Sequence, residues 1–291
     1  MKSTAKALKP ATTQKNQERI KKSDFKHHLF IESFGVKVQI TSNAAEAIET
    51  VRKTLDAYLL DRFTETEPFE AAHCFIYRWN PSGKDSFSKN GKKLYHAAHR
   101  EKMLDIFGSE VRRTIAEFAV GRVFIHSGVV SWKGRAIVIP AKSFRGKTSL
   151  IIALVKRGAL YYSDEYAVLD EEGFVHPFPK TLSVRGIVDK YEQVEFAVEE
   201  IGGKAAVAKA RVGMFLITEY KPRGRWNPKV LSPANGILEI INHTIPIRAN
   251  PVEVLKILNR AVNGALIVKS NRGEASKFAD LIIDFFEKNC F

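Results

Sequence analysis

The chain has 291 residues, 45% of them apolar and 27% charged, which is the composition of a folded globular protein of one large or two modest domains. No apolar run approaches the ~18–20 residues of a membrane span, and the lysine-rich start lacks the apolar stretch of a secretory signal, so a cytoplasmic location is expected. The net charge is +14, but residues 1–26 carry eight Lys or Arg against Glu18 and Asp24, so +6 of it belongs to a polar tail and the rest is only mildly basic.

That tail, residues 1–28, reads as a disordered, solvated extension, with contact to a polyanion or a membrane surface as the alternative. No base-stacking aromatic pattern and no recognition-helix signature follow it, so nucleic acid is not the expected partner. Two cysteines, Cys74 in an apolar run and Cys290 near the end, are too few for a disulfide framework. Cys74 is expected to be a small core residue.

The alternation from Leu29 to Ile40 predicts one long strand or a hairpin around Gly35. Ser42 is then a candidate N-cap for a helix with apolar Ala47, Val51, Leu55 and Leu59 at four-residue spacing. A strand at His73–Trp79, a turn at Asn80-Pro81-Ser82-Gly83 and a second strand near Leu94-Tyr95-His96 complete a small α+β unit over residues 29–104. His27, His28, His96 and His99 lack acidic or cysteine partners at fixed spacing and read as surface or packing residues rather than metal ligands. The remainder, residues 105–291, opens with a helix from about Asp105 to Val120, whose Ile106, Val111, Ile115 and Phe118 form a buried face and which would act as a hinge between the two lobes.

Most of the chemistry lies between Arg122 and Arg185. The strand Ala136–Pro140 meets a polar loop, Ala141-Lys142-Ser143-Phe144-Arg145-Gly146, that empties into a helix beginning Lys147-Thr148-Ser149. Such a junction offers unpaired N–H groups and the positive end of the helix dipole to a phosphate. Lys147 adds a point charge, and Thr148 places a hydroxyl where a P-loop holds Mg²⁺. The pattern G-x-x-x-x-G-K-[ST] is met at Gly146, Lys147 and Thr148, with Ala141 in place of its first glycine and bulky Phe144 and Arg145 inside the loop. Were the first position at φ > 0, alanine there would cost about 1–2 kcal/mol.

Around the loop stand Ile125-His126-Ser127-Gly128 ahead of it, Lys156-Arg157-Gly158 closing its helix, Tyr162-Ser163-Asp164-Glu165 beyond, and a run from Pro177 to Arg185-Gly186. In this order they resemble the HPr kinase/phosphorylase catalytic domain and its HPr-kinase-like relatives, a P-loop group similar in fold to phosphoenolpyruvate carboxykinase. The resemblance is strongest over residues 118–187, diffuse in the C-terminal third and weakest in the first hundred residues. It implies an α/β fold with a mixed sheet, and the two residues Lys133-Gly134 between Gly128–Trp132 and Arg135–Pro140 imply the same, because they leave room only for a hairpin.

What the resemblance implies for function is ATP and Mg²⁺ as cofactors and phosphoryl transfer to a hydroxyl on a protein, a peptide or a small molecule, with homo-oligomeric assembly. Residues 141–149 would hold the nucleotide, Asp164 would be the base, Thr148 and Glu165 the metal ligands, and Arg185 a phosphate contact. His126 has two readings, a half-buried packing residue or a phosphate-site group. An adjacent carboxylate pair on a regular strand points to opposite faces, so Asp164 and Glu165 would share a site only if the strand breaks there. The segment Ile187–Lys209 would be a lid or a plain surface connection. Arg223 and Arg225, between Pro and Gly residues, would receive an acidic group or be solvated. The contrasting expectation is a catalytically degenerate module that binds a nucleotide for regulation and transfers nothing.

Overall fold

The computed structural model describes residues 24–95, 98–141, 146–185 and 193–291. Most of the expected tail, His96, the loop positions Lys142, Ser143, Phe144 and Arg145, and the side chain of Arg185 lie outside the described residues.

Phe34 and Gly35, both at positive φ, fold β1 (His27–Ser33) back onto β2 (Val36–Ser42), so of the two expectations for this run the hairpin forms. Helix α1 (Ala45–Leu59) buries Ala47, Ile48, Val51, Leu55 and Leu59. Its N-cap position is Ala44, not Ser42: Ser42 is still in the strand and donates its hydroxyl to the Tyr77 carbonyl at 2.9 Å. β3 (Thr64–Glu65) edges β1, and β4 (His73–Arg78) runs parallel to β2. The second strand forms as β5 (Lys84–Lys89), earlier than expected, because the Asn80–Gly83 turn leads at once into pairing of Arg78 with Ser86. β6 (Lys92–Lys93) and β7 (Ala98–His99) both add to β5. Cys74 is half-exposed rather than a core residue.

Helix α2 (Arg100–Phe118) lays Met103, Phe107, Val111 and Ile115 on the same core as α1, so it packs with this first sheet. Each such buried side chain contributes about 1.5–3 kcal/mol. Ile106 is only partly buried and Phe118 is exposed, a small rotation of the face expected from spacing.

The second sheet begins with β8 (Arg122–Trp132) and β9 (Arg135–Pro140), joined by Lys133 and Gly134 at positive φ, the predicted hairpin. After α3 (Lys147–Val155), β10 (Leu160–Ser163) and β11 (Tyr166–Asp170) both pair antiparallel with β8. β12 (Phe174–His176) follows, then a separate ribbon of β13 (Leu182–Arg185) and β14 (Gln193–Phe196), and the long β15 (Ala210–Tyr220). β16 (Lys229–Val230), α4 (Pro233–Ile241), α5 (Pro251–Val262), β17 (Leu266–Arg272) and α6 (Ala275–Cys290) complete the chain.

β9 and β17 flank β15 in parallel, while the other pairings of this sheet are antiparallel, so the sheet is mixed. Strands β8, β11, β12, β15 and β9 pair in a closed circuit. Along β15, Met214 and Leu216 face α3 and α6, while Phe215 and Ile217 face α4 and α5, the period-two alternation of a strand covered on both sides. Ala116, Phe124, Tyr166, Val168 and Phe178 cluster where α2 meets the second sheet. Among the described residues no helix is long and apolar enough to cross a membrane.

Candidate functional site

The short strand that follows the loop helix carries the acidic pair, and sequence order alone would set it beside the loop strand, β9. It lies instead on β8, because β9 has β8 on one edge and β15 on the other and so has no edge left. β10 and β11 behave as one antiparallel partner of β8, interrupted at Asp164–Glu165. Two serines build the interruption. Ser163 Oγ accepts from the N–H of Glu165 and of Tyr166, both at 3.0 Å, and Ser127 Oγ accepts from Ala167 at 3.0 Å. A break of this kind re-aims side chains that a regular strand would send to opposite faces.

Gly146 has a φ of +73° and caps α3, and a Cβ there would stand 2.7 Å from Arg272 Nη2. Arg272, almost wholly buried, donates to the Gly146 carbonyl from Nη2 and to the Gly273 carbonyl from Nη1 at 3.1 Å. Ala141, the departure from the P-loop pattern, is buried and is not in the left-handed region, so alanine bears no backbone penalty there.

From the first turn of α3, two side chains reach Asp164. Thr148 Oγ1 donates to Asp164 Oδ2 at 2.6 Å. Lys147 Nζ donates to the Asp164 carbonyl and stands 3.7 Å from Oδ1. Both members of the Lys147–Asp164 pair are about nine-tenths buried. Burial drives each toward its neutral form, lowering the lysine and raising the carboxyl, while their mutual attraction opposes this. Asp164 Oδ1 is buried and accepts no hydrogen bond among the described residues.

Glu165 takes the other direction. Arg112 of α2 donates from Nη2 to Glu165 Oε1 at 3.0 Å, with its guanidinium 5.1 Å from the Tyr58 ring centre and 5.5 Å from that of Tyr166. Burial alone would raise the Glu165 carboxyl, but the surrounding cations, Arg112 foremost, hold it below the ordinary range. His126, on β8 beside this cluster, is pushed down to about 4 by burial and then by the Lys147 charge, with Glu165 opposing. Its imidazole is neutral near pH 7.

Of the residues singled out from sequence, His126, Lys147, Thr148, Asp164 and Glu165 come together, and Ser149 is exposed in the first turn of α3. Arg112 and Arg272 escaped sequence reasoning. Arg112 follows the polar spacing of an amphipathic helix and Arg272 ends a strand, so nothing local marks either one. The serines of the break were visible as neighbours of the motif residues but carried no distinguishing signal.

No protein-family model matches the chain, and no curated protein matches it. Among solved structures, the Hpr(Ser) kinase/phosphatase from Coxiella burnetii is similar over 57% of this chain and 97% of that chain, at 14% sequence identity and a TM-score of 0.33. That is a distant structural relation, too slight to assign an activity.

Proposed function

We propose that this protein binds the phosphates of ATP at the start of α3 and transfers the terminal phosphoryl group to a hydroxyl. The observation that carries the reading is the convergence of Lys147 and Thr148, from one helix N-terminus, on the single buried carboxylate of Asp164. A helix N-terminus with an adjacent buried lysine is built to receive an anion, and a phosphate entering there would give Lys147 a second partner.

The two carboxylates are pushed apart in proton affinity, as a division of labour requires. Asp164, raised by burial and with Oδ1 free of hydrogen bonds among the described residues, accepts the proton of the acceptor hydroxyl. Glu165, kept ionised, and Thr148 would hold a Mg²⁺ ion, which an all-oxygen set of one hydroxyl and nearby carboxylates fits. The ion would supply charge neutralisation along the phosphates. In the reaction the acceptor oxygen bonds to the γ-phosphorus, the bond from that phosphorus to the β-bridging oxygen breaks, and the acceptor proton passes to Asp164. Arg185, from the edge of β13, would add a phosphate contact.

Mg²⁺-dependent ATP binding by calorimetry on the wild type, Lys147→Ala and Asp164→Asn, with phosphate release followed in the same samples, tests this. Binding lost in Lys147→Ala, and kept without turnover in Asp164→Asn, is the expected result. No binding by the wild type would remove the reading. The Arg112–Glu165 ion pair favours one second reading, a regulatory module in which Glu165 is structural. Nucleotide binding by the wild type without phosphate release, whichever acceptor is supplied, would select it.

A further inference from the structure

A cleft of about 560 Å³ opens at the carboxyl ends of the parallel strands β9, β15 and β17, the place where sheets covered on both faces collect their ligands. Pro140 and Ala141 form part of its wall, so it begins where the phosphate loop begins. His126 joins it to the Lys147–Asp164 cluster: the Ala141 N–H donates to the His126 carbonyl at 3.4 Å, and the His126 N–H donates to the carbonyl of His243, another wall residue, at 2.8 Å.

Its lining is unusual for a small-molecule pocket. Among the described residues its apolar side chains are only those of Pro140, Ala141 and Ile217. The remaining wall is polar or charged. Lys229 and Lys269 are direct cross-strand partners in the β16–β17 ladder, a placement that like charges resist unless something neutralises them. Glu239 neutralises Lys269 at 2.5 Å. Lys229 and Arg225, on the mouth of the same cleft, have no carboxylate within ion-pair distance among the described residues. Thr218 adds a buried hydroxyl oxygen with no hydrogen-bond partner among the described residues. The described wall carries Arg225, Lys229 and Lys269 against Glu219 and Glu239, a net charge of +1 with Lys269 already held by Glu239, and with its hydrogen-bonding groups it matches a small polar molecule whose carboxylate or phosphate lies at Arg225 and Lys229.

We infer that this cleft binds the phosphoryl acceptor, and that the acceptor is a small, anionic, hydroxyl-bearing molecule whose acidic group lies against Arg225 and Lys229. The role as acceptor rests on the phosphoryl-transfer reading above, whereas the occupancy does not. Arg225, set between Gly224 and Pro228, thereby acquires the acidic partner that its sequence context left open.

The test uses the full chain and three probes that carry both a hydroxyl and a net negative charge, D-glycerate, L-lactate and glycerol 3-phosphate, with uncharged glycerol as the control. Binding is followed by calorimetry with and without ATP and Mg²⁺, on the wild type and on Arg225→Glu/Lys229→Glu, two exposed positions whose replacement leaves the core untouched. The expected result is saturable binding of at least one anionic probe, weakened about tenfold or more in the double variant while ATP affinity stays within about twofold, and no binding of glycerol. If none of the three probes saturates, or the variant binds them as well as the wild type, the inference is overturned. Probe binding in a protein that fails to bind ATP would leave the cleft standing and remove the phosphate site. The reverse pattern would remove the cleft alone.

Discussion

Arg112 of α2 and Glu165 at the break between β10 and β11 form an ion pair of 3.0 Å across the boundary between the two sheets, with side-chain exposures of 6% and 25%. The first sheet and its helices thus supply a charge to the acidic pair of the second. Among the described residues Arg112 Nε and Nη1 are buried without hydrogen bonds, so its place depends on Glu165 and on the flanking rings of Tyr58 and Tyr166.

Removing one partner of a buried pair leaves the other uncompensated. Arg112→Met and Glu165→Gln should each destabilise the protein by about 2–4 kcal/mol in urea unfolding, and the double variant should recover a substantial part of the sum. Strict additivity would show that the two groups are not coupled.

His126 makes stability depend on pH in a defined window. Its folded value of about 4 lies below the ordinary 6.5, so between these values the unfolded chain binds the extra proton. Stability is therefore full above pH 6.5 and falls as the pH drops toward 4, by up to about 3 kcal/mol from this group. Replacing His126 by Gln should flatten the stability curve between pH 6.5 and 4. An unchanged slope would show that His126 titrates normally.

Gly146→Ala should be costly at a position where Ala141 is not. The left-handed φ of Gly146 penalises any Cβ by about 1–2 kcal/mol, and the new atom would meet the Arg272 guanidinium that anchors the loop. Thermal melting should register the loss, and calorimetry should show weaker ATP binding. Ala141→Gly, restoring the usual pattern, should leave ATP affinity within about twofold.

Gly108→Ala sets helix propensity against packing. Alanine is favoured by about 1 kcal/mol inside a helix, yet its Cβ would lie 2.7 Å from Cδ2 of Tyr58, the ring beside Arg112. The displaced ring should make the substitution net destabilising in urea unfolding. A gain in stability would mean that Tyr58 moves aside freely.

Local chemistry was legible where the chain itself carries it. Lys133-Gly134 forms a hairpin because two residues between adjoining strands leave few other choices, Gly35 marked a hairpin as one of two options for its run, and α3 starts at Lys147 because a glycine cap precedes an apolar run. The apolar spacing of α1 likewise matched the face it buries, and the need for a strand break at Asp164–Glu165 followed from strand geometry alone.

Pairings across the chain were not legible. Arg112 meets Glu165 over 53 positions, and Arg272 meets Gly146 over 126, between residues whose neighbours look like any polar helix face or strand end. That β10 lies on β8 was decided by edges already taken on both sides of β9, a competition among distant strands. The amino-acid order determined which short segments turn, coil or extend, since those preferences are local steric ones. Only the tertiary structure decided which charges meet, because a charge buried by folding must find its partner wherever the packing brings one.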